Sequence, residues 1–236
     1  MAGTVIEYLE KYGDIPFREK PLNDVDSLAL CQLSYLKFDG MVSDVRHNGP
    51  SVTLQEIAKR PDVERLFGDV RFEKENRALF EGLLSGRRFR NMKLNCYINL
   101  VEKEWETQFS AITFILDDGT LFLAFRGTDE TIIGWKEDFN MCFQESIPSQ
   151  RLALNYIRQL YDSYHCPMYI CGHSKGGNLA VFAAAPRLDG LVHELGIRRD
   201  GLHRHKVRPR GKIKEILRQK IRLGQKTKAD FVMLRQ

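Results

Sequence analysis

Residues 172–176, Gly172-His173-Ser174-Lys175-Gly176, form the pattern G-x-S-x-G. A serine hydroxyl becomes a nucleophile when a base takes its proton, and a sharp turn can hold such a serine exposed between a strand and a helix. Glycines suit this turn because it leaves no room for side chains at its flanks. The apolar segment MYIC precedes the pattern, and the small-residue segment GNLAVFAAA follows it. We predict that the serine is a nucleophile at a strand-to-helix turn; an ordinary structural turn is the alternative.

A second segment, LAFRGTDETIIGWKEDFNM at residues 123–141, reads as a strand that breaks at Gly127. Acyl transfer requires hydrogen-bond donors for the oxyanion that develops on the substrate. We predict two backbone amides in this role, that of Thr128 at the strand end and that of Lys175 after the serine. The alternative for Thr128 and Asp129 is a capping turn into the next helix. For Arg126 we favour a structural ion pair.

The composition fits one globular protein of ordinary core size, with 236 residues, 43% hydrophobic and 28% charged. The sequence has no apolar run of the roughly 18 residues that a membrane span needs, and its beginning lacks the basic and apolar parts of a signal peptide. Five scattered cysteines form no C-x-x-C pair, and zinc and P-loop patterns are absent from the sequence. We therefore expect a cytoplasmic protein without a transmembrane segment, a metal or a cofactor.

The charge is unevenly distributed. Residues 197–236 contain 14 lysines and arginines against three acidic residues, although the whole chain has a net charge of only +5. The rest of the chain is therefore acidic. Such a tail could bind an anionic lipid surface or nucleic acid weakly through its charge. A solvated tail is the simpler interpretation, and no motif indicates specific nucleic-acid recognition.

The first ninety residues are predicted to be helical. Residues 24–39 place apolar side chains at helical spacing, and residues 53–60 begin with Thr53 and Glu56 in a capping-box arrangement. A further helix is expected to end near Gly86. We interpret this region mainly as packing.

The pattern then changes to strands. MKLNCYINLV alternates apolar and polar residues, while FSAITFIL and TLFLAFRG are apolar runs joined by Asp117-Asp118-Gly119, a hairpin signal. An amphipathic helix follows, with Ser149 after Pro148 as its expected cap. Alternating strands and helices predict an α/β fold with a largely parallel sheet. We divide the chain into an N-terminal helical region at 1–90, a core at 91–196 and a basic tail at 197–236.

The segments FRGTD…GWKEDF and GHSKGGNLA together resemble the class 3 lipase-like α/β hydrolases. They look closest to a bacterial branch of that superfamily whose domain has no assigned function. The stretches VDSLALCQLSYLKFD and WETQFSAITFILDDGTLF resemble that branch too, so the similarity covers about residues 15–185. It implies an α/β-hydrolase fold, with Ser174 as the nucleophile and the amides of Thr128 and Lys175 as the oxyanion hole, but it does not supply the substrate. The function that we predict is a serine hydrolase of lipase or esterase type, which would act on a small acyl ester or a lipid. Trp135 and Asp138 match a motif pair that we interpret as structural support.

The sequence departs from this family after the small-residue helix. These hydrolases place an acid and then a base on loops after later strands, but residues 186–236 are basic and contain almost no apolar strand. We therefore expect a fold that is incomplete after the serine turn, with an unpaired edge on its last strand. The tail offers several candidate bases and acids, and we assign the roles to none of them: His193, His203, His205, Asp189, Asp200 and Asp230. A hydrolase-like protein without catalysis is the alternative function, either because the gene product is truncated or frame-shifted or because it serves as a binding module. We expect this chain to be a poor or inactive hydrolase.

Overall fold

The computed structural model describes residues 3–47, 49–129, 131–194 and 231–235. They form a mixed α/β protein around a six-stranded sheet, in which the strands lie side by side in chain order. The strands are β1 (Val52–Thr53), β2 (Lys93–Glu102), β3 (Thr107–Ile115), β4 (Leu121–Phe125), β5 (Met168–His173) and β6 (Phe231–Arg235).

Helices lie before the sheet strands and between them. They are α1 (Val5–Tyr12), α2 (Asp24–Leu33), α3 (Leu54–Ala58), the 3-10 helix η1 (Val63–Phe67), α4 (Glu73–Ser85), α5 (Arg87–Arg90), α6 (Ile132–Asn140), α7 (Pro148–Tyr164) and α8 (Lys175–Glu194). Of the helices that the structure describes, none combines the length and the apolar character that crossing a membrane requires.

Only β4 and β5 pair in parallel; every other neighbouring pair of the described strands is antiparallel. The prediction of a largely parallel sheet was therefore wrong. The physical reason lies in the connections: β3 and β4 are joined by a tight hairpin, in which Gly119 has φ +84°. That hairpin was predicted from Asp117-Asp118-Gly119, and it forces its two strands to run in opposite directions.

The edge of β5 is paired, contrary to the expectation of an unpaired last strand. Residues 231–235, at the end of the basic tail, form β6 and pair antiparallel with β5, with His173 opposite Phe231. The sequence there is FVMLR, a short apolar run that the high charge of the preceding residues concealed.

Local signals account for the helix boundaries. Thr53 and Glu56 form the predicted capping box at the start of α3, and α4 ends at Ser85, directly before Gly86. The cap of α7 was predicted wrongly: Pro148 is the first helical residue, and Ile147 precedes it as the cap residue. Ser149 instead lies inside the first turn, where its side chain is buried.

The sheet separates two hydrophobic clusters, and β4 shows the alternation that produces them. Phe122 and Ala124 belong to the cluster formed with the N-terminal helices. Leu121, Leu123 and Phe125 face the opposite cluster, which contains side chains of α7 and α8. Since successive strand residues point to opposite faces, an apolar β4 packs on both sides. The strand ends that form the candidate site are thus held between two layers of helices.

Candidate functional site

Ser174 occupies the single position between the end of β5 and the start of α8. Its backbone has φ +56°, in the left-handed region that residues other than glycine seldom adopt. Its side chain is exposed. Conformations of this kind persist where the surrounding structure enforces them, and they cluster at functional sites.

Gly172 and Gly176 allow the chain to turn this sharply. A Cβ atom on Gly172 would lie 2.2 Å from the carbonyl carbon and oxygen of Gly176, and one on Gly176 would lie 2.0 Å from the carbonyl oxygen of Phe125. These contacts are with backbone, which cannot rotate away as a flexible side chain can. The first turn of α8 therefore packs directly against β5 and the end of β4.

The end of β4 lies beside the serine. Phe125 pairs with Gly172 in the parallel register, so both strands end at the same edge of the sheet. A Cβ on Gly127 would stand 2.7 Å from the His173 carbonyl oxygen and 3.3 Å from the Ser174 Cβ. The segment that leads into Thr128 is thus in contact with the turn that exposes the serine.

Neither the Thr128 amide nor the Lys175 amide has a hydrogen-bond acceptor among the residues that the structure describes. Lys175 is the first residue of α8, where backbone N–H groups lack partners within the helix and the helix dipole favours negative charge. The two amides thus follow the ends of β4 and β5, which lie at the same edge of the sheet.

The turn after β4 contains several polar contacts. Thr128 donates its hydroxyl to Asp138 Oδ2 at 2.5 Å, and Asp129 Oδ1 accepts from the amide and hydroxyl of Thr131, the cap residue of α6. Asp129 thus belongs to the capping turn that we gave as its alternative. Arg126 is buried and pairs with Asp129 at 3.4 Å, the structural ion pair that the sequence favoured.

Asp138 lies in a partly buried position. Its Oδ1 atom is buried and has no hydrogen-bond partner in the described part of the chain. Burial raises the pKa of this carboxyl, and the hydrogen bond from Thr128 opposes that shift in pKa.

Trp135 does not pack into the core, so it does not give the support that the sequence suggested. Its side chain is 64% exposed on α6. Three other large apolar residues on α6 or just after it are between 67% and 75% exposed: Ile132, Phe139 and Phe143.

The side chain of Lys175 is buried and fully engaged. Its Nζ donates to the backbone oxygen and to Oε1 of Gln108, both at 2.7 Å, and to Glu137 Oε2 at 2.9 Å. An ammonium group held in this way cannot act as the base for the neighbouring serine. Neither Gln108 nor Glu137 was singled out from the sequence.

Tyr35 is a further residue at this edge that the sequence did not reveal. Its hydroxyl accepts a hydrogen bond from the Gly127 amide at 3.2 Å and lies 2.9 Å from His173 Nδ1. Burial raises the pKa of Tyr35 to about 12, so the phenol stays protonated at neutral pH. The only signal in the sequence was a tyrosine within the apolar run LALCQLSYLKF.

Six candidate acids and bases lie outside the part of the chain whose side chains are described: His193, His203, His205, Asp189, Asp200 and Asp230.

The described residues thus define a mixed α/β protein with an exposed serine in a left-handed turn between a strand and a helix. Residues 83–197 match the model of a family described as Mbeg1-like, which is a lipase-like family. The matched segment contains β2–β5 and the serine turn. No curated protein and no solved structure gave a significant match to the chain.

Proposed function

We propose that the protein is a serine hydrolase of lipase or esterase type, with Ser174 as the nucleophile that attacks an ester or related acyl bond. The observation that carries the proposal is the conformation of Ser174. Its backbone has φ +56°, its side chain is exposed, and it is the one residue between β5 and α8. A nucleophile elbow of an α/β-hydrolase fold likewise holds its serine on a strained strand-to-helix turn, which supports the proposal. The match of residues 83–197 to a lipase-like family agrees with it.

The amides of Thr128 and Lys175 are proposed as the oxyanion hole. They flank Ser174, and neither has an acceptor within the described residues. In this arrangement the serine oxygen attacks the acyl carbon and both N–H groups bind the oxyanion, where a missing donor typically costs about 10²–10³-fold in turnover. The substrate is proposed to be a small acyl ester or a lipid.

The division of the chain and its cytoplasmic location are proposed as the sequence predicts them. We propose that residues 91–196 form the catalytic core and that residues 1–90 pack on it. All five cysteines are unpaired thiols, which suits the reducing cytoplasm.

Covalent labelling tests the nucleophile. A fluorophosphonate probe should phosphonylate Ser174 in the full chain and lose fluoride, and peptide mass spectrometry should find the adduct on residue 174. Ser174→Ala and Ser174→Gly should both abolish labelling. The glycine variant should also raise the free energy of unfolding by about 1–2 kcal/mol, because a left-handed backbone suits glycine.

The matched control is Ser163→Ala, which removes an exposed serine hydroxyl that donates to the Gln159 carbonyl oxygen within α7. It should label like the wild type. Labelling that persists in Ser174→Ala would refute the assignment. A folded wild-type chain that never reacts would instead favour the non-catalytic, hydrolase-like alternative.

A further inference from the structure

Glu137 and Asp138 are consecutive residues of α6, and they reach the two sides of the proposed oxyanion hole. Glu137 Oε2 accepts a hydrogen bond from the ammonium group of Lys175 at 2.9 Å. Asp138 Oδ2 accepts from the hydroxyl of Thr128 at 2.5 Å. One helix thus holds the side chains of both residues whose backbone amides flank Ser174.

The Glu137 contact is extensive. Its Oε1 accepts from the amide and hydroxyl of Ser149, and its Oε2 accepts from the amide of Gln108 as well as from Lys175. The side chains of Glu137 and Lys175 are 0% and 1% exposed. This carboxylate therefore ties α6 to β3, to the start of α7 and to the first residue of α8.

Stability alone is a weak reason for such a pair. The cost of desolvating two charges often exceeds their attraction, and well-packed apolar residues can replace a buried ion pair without loss. What the pair does supply is a fixed orientation of the Lys175 side chain. Because Lys175 follows Ser174 directly, an ammonium group anchored at three acceptors fixes the peptide that joins the two residues.

We propose that Glu137 and Asp138 are positioning residues that set the separation of the two oxyanion donors, Glu137 through Lys175 and Asp138 through Thr128. This inference rests on the proposed function. Correct spacing matters because amide donors stabilise an oxyanion only when they lie within hydrogen-bond distance of the place where it forms.

The test uses the full chain and short p-nitrophenyl esters, each variant being assayed well below its own melting temperature. Glu137→Gln keeps the shape, but it removes the charge that pairs with Lys175, and its amide nitrogen must face either the donors Lys175 and Gln108 or the donor amide of Ser149. Lys175→Met removes the anchor and keeps the backbone amide. Thr128→Val removes the hydroxyl that Asp138 holds, and Thr128→Ser keeps it.

We expect kcat to fall about 10-fold or more in the first three variants, by analogy with a misplaced catalytic group, and KM to stay within about 2-fold. Thr128→Ser, which keeps the hydroxyl that donates to Asp138, should recover most of the kcat that Thr128→Val loses. The double variant of Glu137→Gln and Lys175→Met should lose little more than either single variant, because the two residues act through one contact.

The matched control is Asp26→Asn, which breaks the buried ion pair between Asp26 and Arg88 in the N-terminal helices. It should lower the melting temperature and leave kcat unchanged. An unchanged kcat in folded Glu137→Gln would overturn the positioning role. So would an equal loss of kcat in Asp26→Asn, since the effect would then follow stability.

Hydrogen–deuterium exchange of the peptide that spans residues 170–180 separates this inference from the proposed function. Faster exchange there in Glu137→Gln, and not in Asp26→Asn, is expected whether or not the wild type turns over esters. Unchanged exchange would overturn the anchoring of the turn. A wild type that neither labels nor turns over substrate would refute the catalytic role of both donors and with it the positioning role.

Discussion

Gly176→Ala should disable the site by pushing the start of α8 away from β4. The added Cβ would lie 2.0 Å from the Phe125 carbonyl oxygen, 2.8 Å from the Phe125 carbonyl carbon and 3.0 Å from the Arg126 carbonyl carbon. Since Cβ contacts shorter than 3.0 Å are essentially never observed, the helix start and the strand end must separate by about 1 Å, and overpacking of this kind typically costs about 1–3 kcal/mol.

The same displacement separates Ser174 and Lys175 from Thr128. Misplacement of reacting groups by about 1 Å can cost on the order of 10²-fold in rate, so we expect a loss of that size in the rate constant for fluorophosphonate labelling. The melting temperature should fall by about 2–4 °C for each kcal/mol lost. Both quantities are measured on the same preparation, by time-resolved labelling and by calorimetry.

Gly119→Ala is the matched control. A Cβ there would meet nothing within 4 Å, but the backbone has φ +84°, so the substitution should cost about 1–2 kcal/mol without touching the site. Its labelling rate should equal that of the wild type. A Gly176→Ala variant that labels at the wild-type rate would show that the contact with Phe125 does not position the serine.

Two further predictions concern single side chains at this edge. Tyr35→Phe leaves the buried Gly127 amide without its acceptor, so urea denaturation should show a loss of about 1–3 kcal/mol; an unchanged free energy of unfolding would contradict the role of the hydroxyl. The pKa of Asp138 in the folded state is raised above its ordinary value of 3.8. The free energy of unfolding should therefore fall as the pH rises from that value through the higher folded pKa. Asp138→Asn, which can still accept from Thr128, should flatten this decline; parallel pH–stability curves for the two proteins would refute it.

The serine turn lies where the sequence placed it, between a short apolar strand and a helix of small residues. That much was predictable because its determinants are local: the strand MYIC and the glycines lie within eight residues of one another. The capping box of α3 and the hairpin at Gly119 were predictable from the sequence for the same reason, since each depends on residues at most three positions apart.

Strand direction was not predictable to the same degree. A strand buried on both faces, such as β4, is apolar whether its neighbours run parallel or antiparallel. Direction depends on the connections, and the hairpin between β3 and β4 makes those two strands antiparallel. β6 was missed because four apolar residues carry little signal at the end of a long basic segment.

The contacts around Ser174 depend on tertiary structure. Tyr35 approaches Gly127 across 92 residues and His173 across 138, and Lys175 approaches Gln108 across 67. No spacing rule links positions so far apart, and a single sequence cannot reveal which of its many tyrosines and glutamates meet. The segment GWKEDF is recognisable as a motif, but nothing within it distinguishes its buried glutamate from Trp135, whose side chain faces solvent.

The two-sided packing of β4 also has a consequence for the order of folding during synthesis. The N-terminal helices share their hydrophobic cluster with Phe114, Phe122 and Cys171, which leave the ribosome much later. Contacts between distant parts of the chain form slowly, because the entropy of closing a long loop is lost before the contacts stabilise the fold. The nascent helices therefore have an apolar surface without its sheet partners until β3–β5 have emerged, and chaperones that bind such surfaces have their longest opportunity in that interval.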